Sequence, residues 1–97
     1  MEVGDIVAVN TPVGEYVGEL ISFEGDVILK KPRLILFNPD DGKMGFAKGI
    51  SIASEENPNE VVFRTFTFTT TCNQDIVNAY EQYNSSLIVP KSKKIVV

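Results

Sequence analysis

The chain has no histidine and no tryptophan, and one cysteine, Cys72, among 97 residues. Histidine is the side chain that most readily moves protons near neutral pH and the commonest metal ligand. Its absence excludes Ser–His and Cys–His nucleophiles and the usual zinc constellations. A lone cysteine closes no intrachain disulfide, which fits a reducing compartment. No run approaches the ~18 apolar residues of a membrane span, and Met1-Glu2-Val3-Gly4-Asp5 has neither the basic stretch nor the apolar core of a secretory signal. These absences predict a cytoplasmic protein that does not enter membranes, is not an enzyme, has no catalytic residues and holds no metal or cofactor.

Positive charge is also scarce. Thirteen acidic residues outweigh nine basic ones, for a net charge of −4. The molecule as a whole therefore repels phosphate backbones, and any nucleic-acid site must be local. With 43% hydrophobic and 23% charged residues the composition is that of a folded protein, and the length suits one domain with a small core.

Punctuation by glycine and proline divides the chain. Asp5 to Asn10 is a β-branched run closed by Thr11-Pro12-Val13-Gly14, a first strand and its turn. Glu15 to Phe23 is a second strand, with Gly18 inside it where a glycine lets a strand bend sharply. Glu24-Gly25-Asp26 reverses the chain into a third strand from Val27. That strand either ends near Lys30-Lys31-Pro32 or passes a bulge there into Arg33 to Phe37. Asn38-Pro39-Asp40-Asp41-Gly42 is a dense turn signal. Lys43 to Ala47 and Ile50 to Ala53 then read as two short strands around Lys48-Gly49, making five strands in the first 54 residues.

Beyond the polar connector Ser54 to Asn59, Glu60 to Thr71 is the longest β-prone run, with Phe66 and Phe68 alternating with threonines. Such a strand needs a partner, since an open edge of this composition invites aggregation. Asn73 suits a helix N-cap and Asp75 its first turn, and Ile76, Val77, Tyr80 and Tyr83 share one face of a helix expected to end near Asn84-Ser85-Ser86. The tail sets Leu87-Ile88-Val89 and Ile95-Val96-Val97 around Pro90-Lys91-Ser92-Lys93-Lys94.

Few residues suggest chemistry. Cys72 borders a helix start, where a thiolate would be stabilised, but it reads first as a small buried hydrophobe. Asp40 and Asp41 lack the further oxygen ligands of a calcium loop, and no phosphate-binding glycine loop follows a strand. Lysines and arginines gather at Lys30, Lys31 and Arg33, at Lys43 and Lys48, and at Lys91, Lys93 and Lys94.

The stretch Gly14 to Leu29 resembles the first signature of the Sm-like superfamily, which includes the Sm proteins and their Hfq-like relatives. Gly18, Leu20, Phe23, Glu24 and Val27-Ile28-Leu29 follow the pattern, with Asp26 where asparagine is usual and a loop about two residues shorter. Ala47-Lys48-Gly49-Ile50-Ser51-Ile52 looks like the second signature, with Phe46 as the aromatic before the lysine. In style the chain is most similar to the divergent members carried by bacteriophages, which would place it in the host cytoplasm.

The resemblance implies a mainly β fold: a small five-stranded, strongly bent barrel over residues 1–54, with residues 55–97 a strand-plus-helix extension packed on the same domain. It also implies a homo-oligomeric ring of five to seven subunits, closed by pairing the strand of Lys43, Met44, Gly45 and Phe46 with that of Ile50, Ser51 and Ile52 in the next subunit. Single-stranded RNA would meet Asp26, Lys48 and Gly49 at the inner rim, with Lys30, Lys31 and Arg33 as outer phosphate contacts. Against this, the shortened loop has no aromatic and Asp26 brings a carboxylate near phosphate. The alternative is a non-enzymatic structural or adaptor ring, such as a phage virion or host-interaction component, whose C-terminal extension docks another protein.

Overall fold

The computed structural model describes residues 1–47 and 49–96, and for 86–96 the backbone alone. It is mainly β, with strands β1 (Ile6–Thr11), β2 (Gly14–Ser22), β3 (Val27–Asn38), β4 (Lys43–Phe46), β5 (Glu60–Phe63) and β6 (Phe68–Thr71), followed by helix α1 (Gln74–Val96). The antiparallel sheet has the order β4-β3-β2-β1-β6, with β5 paired to the first half of β3. It is not closed into a barrel. Among the described residues no helix is long and apolar enough to cross a membrane.

The β1–β2 hairpin turns on Pro12-Val13. The Thr11 hydroxyl donates to the Gly14 carbonyl at 2.9 Å and accepts the Val13 and Gly14 amides at 3.2 Å. Gly18 lies where the β2–β3 register slips, between Val17 and Glu19. A Cβ there would meet Leu29 Cβ and the Lys30 carbonyl oxygen, both at 3.1 Å, so the bulge needs glycine for close approach.

The third strand does pass Pro32, and its two halves serve different neighbours. Val27–Lys30 pairs with β5 and Ile35–Asn38 with β4, while β2 pairs with the stretch from Ile28 to Leu34. The bend between the halves falls at Lys31, whose φ of 50° is left-handed, a strain of about 1–2 kcal/mol for a residue with a Cβ.

Alternation sorts the side chains onto two faces. Val7, Val9, Tyr16, Leu20, Val27, Leu29 and Phe63 make the main core on one side, where Tyr16 and Phe63 pack at 5.1 Å. Ala8 and Val17 face the other way, under Tyr80 of the helix. Asn73 caps α1 as expected, accepting the Ile76 amide at 3.0 Å. Ile76 and Tyr80 press on the sheet, and Phe46 meets Tyr80 and Tyr83 at 6.3 and 5.4 Å.

Four expectations change. Ile50 to Ala53 is not a strand: Gly49 has a φ of 78°, and the Ser54 hydroxyl accepts the Ile50 and Ser51 amides, so local bonds hold a turn. Glu60 to Thr71 is two strands rather than one, because β5 pairs with β3 and β6 with β1, and the chain must leave one edge to reach the other. The helix does not stop at Asn84-Ser85-Ser86 but spans Gln74–Val96; polar residues alone do not end a helix without a glycine or a competing cap. Phe23, expected at the end of the second strand, lies past the end of β2 in the reversal and is 46% exposed.

Candidate functional site

The residues expected to bind RNA do not converge. Asp26 stands at the exposed start of β3, and the register Val27↔Phe63 sets it across from Arg64 at 3.7 Å. Both side chains are solvated, so the pair adds little stability, but it occupies the carboxylate expected to read a base. Gly49 is in the turn just described. Lys48 lies outside the described residues. Lys30 is exposed and Lys31 half-buried at the bend.

Arg33 is not an outer phosphate contact. It is 4% exposed, beneath α1, and burial lowers its pKa against the opposing pull of Tyr80 and Tyr83. Its Nη1 donates to the carbonyls of Pro32 at 2.8 Å and Pro58 at 3.1 Å, and its Nε to Asn84 Oδ1 at 3.0 Å. Two residues earlier on β3, the Tyr80 hydroxyl donates to Lys31 O at 2.7 Å and approaches Lys30 O at 3.2 Å. The bend at Lys31-Pro32 breaks the regular ladder, and Pro32 has no amide of its own. Arg33 and Tyr80 supply donors to the carbonyls stranded there, since buried acceptors are costly when left unpaired. This cluster holds the bend and binds the helix to the sheet.

The residues expected at a ring interface separate into two groups. Lys43, Met44, Gly45 and Phe46 form β4, a strand at the end of the sheet order with one side unpaired among the described residues. The Ala47 amide bonds Leu34 O at 2.9 Å. Antiparallel alternation then turns the Gly45 amide toward β3 and leaves the Met44 and Phe46 amides on the open side. Ile50, Ser51 and Ile52 offer no ladder: Ile50 packs on the core, and Ile52 is fully exposed in the turn. At the opposite end of the order β6 is unpaired beyond β1 among the described residues, with Phe68 51% exposed, and β5, paired only with β3, is a further outer strand.

A groove of about 370 Å³ opens on the helix-facing side, from the β3–β4 hairpin to the start of α1. Ala8, Val17 and Ile35 floor it, Phe37 and Met44 form one wall, and Cys72 and Ile76 line the other. Phe37 is 63% and Met44 41% exposed. Glu15 is its one charged lining residue among those described. Burial, helped by Glu15, pushes the Cys72 thiol up to about 11, so it is no nucleophile at neutral pH. Among the described residues no three His, Cys, Asp or Glu side chains group as metal ligands. Nothing in the sequence singled out this groove, because its lining comes from six separate elements.

Neither the family models nor the curated proteins compared with the chain gave a match.

Proposed function

We propose that this chain is a non-enzymatic assembly module, a divergent small β domain of the Sm-like kind that joins copies of itself edge to edge. The observation that carries this reading is that β4 and β6 end the main strand path of the sheet on opposite sides and are unpaired there among the described residues, with β5 a further outer strand on β3. Edges at opposite ends join head to tail, and such contacts close into a ring when the rotation per subunit allows. In this reading β6 takes the place that Ile50 to Ala53 would have had. The apolar exposure of Met44 on one edge and Phe68 on the other supports it, because lone monomers usually blunt open edges with charge.

The nucleic-acid reading has less beneath it. Arg33 is committed to carbonyls inside the protein, Asp26 faces Arg64, and the chain is acidic overall.

Sedimentation tests the proposal. The wild type should form a multimer, and Met44→Pro, which removes an amide from the open side of β4 and not from the β3 ladder, should shift the mass toward the monomer. An unchanged multimer mass for Met44→Pro would refute pairing through β4.

A further inference from the structure

Charge is unevenly divided along the chain. No acid lies beyond Glu81, while Lys91, Lys93 and Lys94 hold three of the nine basic residues, so residues 1–85 contain thirteen acids and six bases. The basic segment is flanked by Leu87-Ile88-Val89 and Ile95-Val96-Val97, which makes residues 87–97 both cationic and strongly apolar. The groove beside the start of α1 has the complementary character, with an apolar floor of Ala8, Val17 and Ile35, exposed Phe37 and Met44, and Glu15 as its charge.

We propose that this groove receives segment 87–97 of a second copy of the chain. The apolar composition of the segment suits the space between Phe37, Met44 and Ile76, and its positive charge suits Glu15. The chain's own segment does not reach there. Ile76 lines the groove at the beginning of α1, and the helix runs unbroken away from it. At 1.5 Å per residue, Leu87 is already about 16 Å further along the axis. The occupant is therefore a neighbour's segment, an apolar and cationic element in an apolar groove. The inference builds on self-assembly but names a contact separate from the strand edges, and it gives each subunit a second link to its neighbours.

Photo-crosslinking of the full chain tests it. A benzophenone residue replaces Ile95, and this chain is mixed with isotopically heavy wild type and irradiated. Adducts should fall on heavy peptides containing Phe37 and Met44, or Cys72 to Ile76. No adducts between chains, or adducts spread without preference over the surface, would overturn the proposal. In parallel, a chain with Lys91→Glu, Lys93→Glu and Lys94→Glu, which alters neither β4 nor β6, should self-associate about tenfold more weakly at low salt, with the difference lost near 0.5 M salt. An unchanged association constant at low salt would also overturn it. A wild type that is multimeric but gives no groove adducts fails this inference alone, whereas a wild type that stays monomeric fails the edge pairing as well.

Discussion

Replacing Tyr80 by Phe isolates the role of one hydroxyl at the bend of β3. The ring is 4% exposed and keeps its packing on Ala8, Val17 and Phe46, so no cavity of consequence forms. What disappears is a donor shared between Lys31 O at 2.7 Å and Lys30 O at 3.2 Å. Burial raises the phenol's pKa, with Arg33 and an Asn84 hydrogen bond pulling it the other way, so the group is a donor throughout the neutral range. One hydrogen carries both contacts, and its loss strands a carbonyl that the helix keeps from water. That costs about 1–3 kcal/mol. With an m-value of about 1–1.5 kcal/mol/M, the urea midpoint should fall by about 0.7–3 M. Wild type and variant must be compared at equal chain concentration, because assembly links stability to concentration. A midpoint within about 0.2 M of wild type would show that the Tyr80 hydroxyl does not hold the bend.

Other perturbations test neighbouring parts of the account. Gly18→Ala should destabilise by about 1–3 kcal/mol in the same assay, because the new methyl meets Leu29 and the backbone oxygen of Lys30, and backbone does not yield as a flexible side chain does. Cys72 should react with iodoacetamide far more slowly than an unperturbed thiol at pH 8, since a shift from 9.0 to about 11 leaves about a hundredfold less thiolate. The same raised pKa means that the folded state prefers the neutral thiol. Its contribution to stability is therefore complete below about pH 9 and is lost as pH rises toward about 11, a decline that Cys72→Ala should lack. Labelled oligo-U and oligo-A should show no saturable binding even at low salt, where phosphate contacts are strongest; saturable binding would restore the nucleic-acid reading.

Local periodicity made β1, β2 and β4 legible, since each is a short alternating run between turn residues that do their expected work at Pro12-Val13 and Gly42. The helix start was legible for the same reason, through Asn73. Periodicity failed where the decisive partner is distant. The sequence around Arg33 is a basic cluster of ordinary surface appearance, and nothing near it signals that Pro58 and Asn84, 25 and 51 positions away, enclose it. The alternation of Glu60 to Thr71 is genuine strand character, but it says nothing of which edge each half joins. Ile50 to Ala53 has the composition of a strand and the hydrogen bonding of a turn, because Gly49 and Ser54 satisfy the backbone locally. The edges β4 and β6 were partly legible: β4 was expected at an interface, whereas β6 could emerge only once the long run had been divided.

The mass of the protein in solution bears most directly on the central claim. Sedimentation equilibrium across a wide concentration range should show a multimer of the 10.7 kDa chain for the wild type and a shift toward the monomer for Met44→Pro. A strictly monomeric wild type at every concentration would contradict assembly through the strand edges.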